Sequence, residues 1–314
     1  MVAALTESLT LSNGNKMPIY GLGTWLSTPD EVKTAVRTAL DNGHRLIDTA
    51  ACYQNEKEIG EVLAEYFESG KLKREDIFIT TKIWCSHTSP KNITGAFQES
   101  LKKLGLTYVD LYLVHAPTAF STDFKTQDHS VKVEDTWAVI EQLYDQGLAK
   151  AIGVSNFSDE QIDRIMKVAK TPIHNSQVEA HIYWPQQAHL DNCKKHNITV
   201  TAYSPIGSPG RAKCDFLEWA ESPLALEDAS AIAIAKKRGK EVAQVLLRHL
   251  IQRGFAVIPK SINPKRIVSN SLVFDFTLTD EEVETLNKST HRQRLFFEDF
   301  MIGHPEDGFI SERK

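Results

Sequence analysis

The sequence predicts a single (β/α)8 TIM barrel, closed at the bottom by an N-terminal β-hairpin and carrying long loops at its C-terminal rim. Three observations predict it. Eight short apolar runs alternate with amphipathic helical patterns. Successive runs are spaced roughly 25–40 residues apart, as parallel β–α–β crossovers require. Two long polar gaps, 117–132 and 208–227, follow the fourth and seventh runs, on the side where barrel active sites lie.

The elements follow in chain order. Asn13-Gly14 supplies the positive φ angles of a tight turn between 9–11 and 16–18, which gives the hairpin. Strands are expected at 19–23, 45–48, 77–82, 109–115, 149–154, 175–178, 199–203 and 256–259. Thr28-Pro29-Asp30-Glu31 is a capping box with proline at the first helical position, opening a helix over 32–40. Gly43 and Gly147 fit helix C-termini just before strands. Helical periodicity runs through 55–67, 91–104, 133–143, 159–169, 186–196 and 241–252. The aromatic tail, 291–314, with Phe296, Phe297, Phe300 and Phe309, is read as a third cover of the rim. One barrel domain accounts for the whole chain, 1–314.

Composition narrows the function classes. The chain of 314 residues is 41% hydrophobic and 25% charged, as ordinary globular proteins are. A net charge of -5 argues against nucleic acid as a partner. No apolar run is long enough to span a bilayer. The N-terminus lacks the basic head and apolar stretch of a signal peptide, and the C-terminus matches no lipidation signal. Cys52, Cys85, Cys193 and Cys214 form no C-x-x-C pair, so they are expected to be reduced thiols of a cytoplasmic protein, with no metal site. The nucleotide-binding G-x-G-x-x-G and P-loop motifs and the zinc-binding H-E-x-x-H motif are absent.

In a barrel, side chains at the C-terminal ends of neighbouring strands converge, because adjacent strands sit about 5 Å apart. The second strand ends at Asp48, the third at Lys82 and the fourth at His115. An anion, a cation and an imidazole thus share one level, and Tyr53 follows Asp48 closely enough to fold back over them. Asp48 and Lys82 end apolar strands, where isolated charges are costly, so they are expected to pair. A structural ion pair explains the charges alone, not the tyrosine and histidine beside them. The functional reading is a proton-donating phenol. Its ordinary pKa, about 10, would be lowered by Lys82, while Asp48 holds the lysine charged and His115 orients a carbonyl oxygen.

Six stretches then carry a family likeness. They are Met17-Pro18-Ile19-Tyr20-Gly21-Leu22-Gly23-Thr24-Trp25, Ile47-Asp48-Thr49-Ala50, Tyr53-Gln54-Asn55-Glu56, Ala151-Ile152-Gly153-Val154-Ser155-Asn156-Phe157, Ala202-Tyr203-Ser204-Pro205 and Ile258-Pro259-Lys260-Ser261. In this order they resemble the aldo-keto reductases, above all the aldose-reductase-like, NADPH-dependent members, from the hairpin to about Asp299. The resemblance implies a catalytic tetrad of Asp48, Tyr53, Lys82 and His115 and an extended NADPH/NADP+ across the rim. It places Tyr203 against the nicotinamide, and Ser155, Asn156 and Gln177 on its carboxamide. Ser204, Ile206 and Ser208 would meet the phosphate bridge, with Gly23, Thr24 and Trp25 on the near side. Lys260, Ser261, Ile262, Asn263 and Arg266 would receive the 2′-phosphate before a helix N-terminus, and Asn270 the adenine. Trp25, Tyr53, Trp84, His115, Phe124 and Trp219 would line the substrate pocket. The substrate implied is a small carbonyl compound and the protein a monomer.

Departures from that family's pattern are visible too. Ala116 stands in His115-Ala116-Pro117 where the aldose-reductase-like members carry tryptophan, which is expected to widen the pocket. Leu26 and Gly210 stand where those members clamp the pyrophosphate, which implies faster cofactor release, and Ser269 stands where they often have glutamate. Two other readings fit parts of this pattern. One is a barrel lyase using Lys82 or Lys260 as a Schiff base. The other is an NADPH-holding, low-turnover scaffold or sensor.

Overall fold

The computed structural model describes Leu5, residues 7–211 and residues 221–313. The chain opens with an antiparallel hairpin, β1 (Ser8–Thr10) and β2 (Lys16–Pro18), in which Gly14 takes φ 88°. Leu11 and Met17 are buried beneath it, and Asn13 Nδ2 and Asn15 Nδ2 donate to the Lys150 carbonyl at 2.9 and 2.8 Å. Lys150 lies just before a barrel strand, so the hairpin closes the N-terminal end.

Eight strands form one parallel sheet. They are β3 (Leu22–Gly23), β4 (Leu46–Asp48), β5 (Phe78–Ile83), β6 (Leu111–Val114), β7 (Ile152–Ser155), β8 (Asn175–Glu179), β9 (Thr199–Tyr203) and β10 (Phe255–Val257), in sequential order. Bridges Tyr20–Val257 and Gly23–Lys260 join the first strand to the last, with Gly21 N donating to Val257 O at 2.9 Å, so the sheet closes into a (β/α)8 barrel. The strands are buried along nearly their whole length, which is why they read as continuous apolar runs. Gly153 is required in β7: a Cβ there would sit 2.2 Å from the Asn175 carbonyl oxygen.

The outer layer is α1 (Pro29–Asp41), α2 (Glu56–Glu68), α3 (Pro90–Leu104), α4 (Val133–Asp145), α5 (Asp159–Val168), α6 (Gln187–Lys195), α7 (Ala229–Arg238), α8 (Val242–Gln252), α9 (Pro264–Ser271) and α10 (Asp280–Asn287). The Thr28–Glu31 capping box and Pro29 open α1 as expected, with Thr28 N donating to Glu31 Oε2 at 2.9 Å. Gly43 and Gly147 follow α1 and α4 at positive φ.

Several expectations need adjusting. The first strand is shorter than 19–23, because Tyr20 meets β10 through a single bridge before regular pairing begins. Two helices had no counterpart in the sequence reading. Helix α7 is built on alanines and isoleucines around its circumference, so its periodicity is blunt, and it makes the crossover from β9 to β10 a two-helix segment. Helix α10 lies after the eighth unit and is opened by a capping box between Thr279 and Glu282. No helix among the described residues is long and apolar enough to cross a membrane.

Candidate active site

The mouth of the barrel gathers the side chains that end its strands. Asp48 closes β4, Lys82 lies near the end of β5, and His115 follows β6. The segment after β4 is shaped by local bonds: Thr24 Oγ1 donates to Asp48 O at 2.9 Å, and Asn55 Nδ2 to Thr24 O at 2.9 Å. Thr49 Oγ1 donates to Asn55 Oδ1 at 3.0 Å. A short 3-10 turn, Ala51–Tyr53, followed by Gln54 at φ 58°, returns Tyr53 over the strand ends.

Lys82 is fully buried, with Nζ 2.5 Å from Asp48 Oδ1, 2.9 Å from Thr49 O and 3.4 Å from Tyr53 Oη. Gln177 on β8 donates through Nε2 to Asp48 Oδ2 at 2.8 Å. The His115 ring meets Tyr53 edge-on at 5.6 Å and Trp84 at 5.1 Å, and its Nδ1 lies 3.4 Å from Cys52 Sγ. The four expected tetrad residues are therefore brought together.

The electrostatics correct one expectation. Burial, then the negative charge of Asp48, pushes the Tyr53 phenol well above its ordinary value, rather than below it. Removal of the hydroxyl from water is the larger cause, and Lys82, 2.5 Å from Asp48 and 3.4 Å from the phenol, does not offset it. Burial, reinforced by Lys82, pushes His115 well below the usual imidazole range, so the ring is neutral at neutral pH. Burial raises Asp48 against the pull of Lys82 and Gln177.

The remaining expected residues surround this centre. Ser155, at the end of β7, is buried, and its Oγ has no hydrogen-bond partner among the described residues. Asn156 holds φ 61°; its Nδ2 donates to His115 O at 3.0 Å and its Oδ1 accepts from Tyr203 Oη at 2.8 Å. Tyr203 ends β9 and is followed by Ser204 at φ 51° and Ser208 at φ 44°, with Ile206 buried between them. Gly23 lies beside Lys260, whose Nζ donates to Leu26 O at 3.0 Å. Asn263 caps α9, accepting from Lys265 N and Arg266 N. Ser261, Ile262 and Arg266 lie at the accessible surface there, and Asn270 is buried on α9.

On the substrate side, Trp84 packs against Phe124 at 5.4 Å and Phe300 at 5.2 Å, and Trp25 meets Phe296 at 5.6 Å. Trp219 lies outside the described residues. Ala116 is buried in a second apolar cluster with Cys85, Phe120, Met301 and Phe309, against which Trp84, Phe124 and Phe300 pack.

The chain folds its tail over this mouth by means the sequence reading missed. Glu179, at the end of β8, accepts from Leu295 N at 2.7 Å and Phe296 N at 2.9 Å, and is bonded to His181 at 2.8 Å. Arg294 pairs with Glu312 and lies 3.8 Å from Glu179. Gly308 lies so close to the end of β7 that a Cβ would come within 2.5 Å of Asn156 O. Arg211 donates to the Gly207 and Ser222 carbonyls. The one charged residue of the fully buried strand Asn175–Glu179, at its C-terminal end, is the signal that could have found Glu179.

The aldo/keto reductase family model matches residues 19–290. The chain belongs to the aldo/keto reductase family. Among curated proteins it is similar to aldo-keto reductase family 1 member A1-A of Danio rerio, 45% identical over 303 residues that cover 93% of this chain and 92% of that one. It is also similar to aldo-keto reductase family 1 member A1 of Xenopus tropicalis, 43% identical over 303 residues covering 92% and 91%. Among solved structures, the aldose reductase of Schistosoma japonicum superposes with a TM-score of 0.89 at 40% identity, over 98% of this chain and 100% of that one. The Bombyx mori aldo-keto reductase in complex with NADP gives 0.90 at 37% identity, over 98% and 100%. A family with this fold places its chemistry at the barrel mouth, where the tyrosine, lysine, aspartate and histidine of this aldo/keto reductase meet.

Proposed function

We propose that this aldo/keto reductase reduces aldehydes and ketones to alcohols with NADPH, with Tyr53 as the proton donor. One observation carries the reading: the buried Asp48–Lys82 pair, at 2.5 Å, presents its ammonium 3.4 Å from the Tyr53 hydroxyl, with a neutral His115 against the same ring.

The residues fit a nicotinamide coenzyme. The buried, unpartnered Ser155 Oγ offers a polar group to a carboxamide, next to Asn156 and Gln177. Tyr203 presents a ring at the end of β9, and Lys260 and Arg266 supply cations for a 2′-phosphate. The coenzyme, when bound, supplies the hydride.

The chain does the rest. Tyr53, buried and with its pKa raised, keeps its proton until negative charge grows on the substrate oxygen. Lys82 then stabilises the phenolate that the proton leaves behind, at a site built before the reaction starts. Asp48 fixes the lysine, and Gln177 fixes Asp48. His115, uncharged, can donate a ring N–H to the same oxygen without competing for the proton. Trp84, Phe124 and Phe300 hold water away from the reacting carbonyl.

The lyase alternative requires a lysine free to attack, whereas Lys82 Nζ is bonded to Asp48 at 2.5 Å and Lys260 Nζ to Leu26 O at 3.0 Å. Neither the neighbours in sequence nor those in structure support a low-turnover scaffold. We further propose one barrel domain acting as a cytoplasmic monomer without nucleic-acid partners, supported by the charge of -5 and by cysteines that form no pairing motif. The test is an NADPH-oxidation screen, run beside NADH, over aldoses, aliphatic and aromatic aldehydes, quinones and steroids. No turnover with any carbonyl would refute the reading.

A further inference from the structure

Cys52 and Tyr53 stand side by side in the 3-10 turn Ala51–Tyr53, so one turn carries a thiol and a phenol over the strand ends. Cys52 Sγ lies 3.4 Å from His115 Nδ1, within hydrogen-bond reach for sulfur. The backbone of His115 is held separately: its N donates to Ile83 O at 3.1 Å, and its O accepts from Asn156 Nδ2 at 3.0 Å. Two rings fix the plane of the imidazole. Tyr53 meets it edge-on at 5.6 Å and 75°, and Trp84 at 5.1 Å and 79°. Neither ring contact chooses which nitrogen is protonated. Among the described residues the thiol is the one polar side-chain group bonded to the imidazole, and Nε2 is bonded to none and is not sealed inside the protein.

The ring is neutral, so one nitrogen carries a hydrogen and the other a lone pair. The contact with Cys52 can then run two ways. With the hydrogen on Nδ1, the ring would donate to sulfur, a poor acceptor, and Nε2 would reach the cup as a lone pair unable to donate. With the hydrogen on Nε2, the thiol donates to an imidazole lone pair, a good acceptor, and Nε2–H is left for a bound molecule. Burial pushes the Cys52 thiol up to about 12, so the S–H hydrogen is present to be donated. Which nitrogen of a neutral imidazole is protonated is set by the bond that the other one makes.

We propose that Cys52 is a positioning residue for carbonyl reduction: its thiol donates to His115 Nδ1 and so keeps the ring in the tautomer whose Nε2–H donates to the substrate oxygen. This rests on the reductase reading given above. One 3-10 turn then governs both hydrogens that reach the carbonyl oxygen. Tyr53 gives up its own proton, and Cys52 determines that His115 presents a donor. A thiol that merely filled space would leave the choice to the ring's small intrinsic preference.

Two near-isosteres separate filling from donating. Cys52→Val occupies the space without a donor, and Cys52→Thr keeps that shape with a hydroxyl. The first measurement is NMR of the full chain with isotope-labelled histidine ring nitrogens, at neutral pH and with no coenzyme added, so it does not depend on the reductase reading. The His115 signals are assigned by their loss in His115→Phe. In the unmodified protein Nε2 should carry the hydrogen and Nδ1 should show the shift of a hydrogen-bonded lone pair. Cys52→Val should move the Nδ1 signal, and Cys52→Thr should move it back. A hydrogen on Nδ1 in the unmodified protein, or an Nδ1 signal indifferent to Cys52→Val, overturns the proposal. If the valine variant does not fold, the protonated nitrogen in the unmodified protein decides alone.

The second measurement is turnover of 4-nitrobenzaldehyde with NADPH. Cys52→Val should lower kcat/KM roughly three- to tenfold, the worth of one modest hydrogen bond, while the KM for NADPH stays unchanged. Cys52→Thr should recover most of that loss. Unchanged kcat/KM in the valine variant, or an equal loss in both variants, overturns the positioning role and leaves the reductase reading intact. No turnover in the unmodified protein counts against the reductase reading instead, and the ring-nitrogen signals still decide how Cys52 and His115 are bonded.

Discussion

Gln177 on β8 reaches across the barrel mouth and donates a 2.8 Å hydrogen bond to Asp48 on β4, four strands away in the sheet order. The amide takes the carboxylate oxygen that Lys82 does not, so both oxygens of a buried carboxylate are satisfied. Replacing Gln177 by leucine leaves Asp48 Oδ2 unpaired in the interior. The expected loss is about 1–3 kcal/mol of stability, read from urea unfolding. Unfolding curves that superpose on those of the unmodified protein would show the bond to be dispensable.

Tyr53→Phe removes the proton donor without altering the packed ring. Carbonyl reduction should fall roughly 10²–10⁴-fold while NADPH still binds, as followed by quenching of protein fluorescence. Normal turnover in this variant would remove Tyr53 from the mechanism.

Arg266 stands at the surface beside the capped start of α9, where it and Lys260 are assigned to the 2′-phosphate. Arg266→Met should raise the KM for NADPH by roughly tenfold or more, the worth of one or two charge-assisted hydrogen bonds, and move the KM for NADH far less. Equal effects on the two coenzymes would place Arg266 elsewhere.

Glu282 joins α10 to α7 through Arg238 at 2.6 Å and Lys237 at 3.0 Å, and accepts from Thr279 N at 3.0 Å. The Arg238 hydrogen bonds above all hold its carboxyl down at about 2. In an unfolded chain it would titrate near about 4.3. A depressed folded-state value means that the contribution is complete above that pH and is lost as pH falls toward about 2. The stability gap between the unmodified protein and Glu282→Gln should therefore be widest near neutrality and close in strong acid. A gap independent of pH, in denaturation across that range, would contradict the assignment.

Much of the site was legible because a parallel barrel converts sequence position into spatial level. Asp48, Lys82 and His115 lie at or within one residue of strand ends, so reading strand ends was enough to predict their meeting. Tyr53 followed because only a short turn separates it from Asp48. That the phenol is held above its ordinary value rather than below it was not legible, since it depends on how deeply Tyr53 is buried and how near it lies to Asp48, which only the folded chain sets. Helix α7 was missed because small apolar residues on several faces blur a periodic signal.

The tail marks the boundary between the two sources of information. Strand count, helix caps, the hairpin and the strand-end chemistry were determined by the sequence alone, because each depends on residues near one another in the chain or on the fixed order of a parallel sheet. Tertiary structure alone decided that Glu179 grips Leu295 and Phe296 and that Gln177 spans the mouth. Those contacts close loops of more than a hundred residues. No local pattern encodes which partner wins.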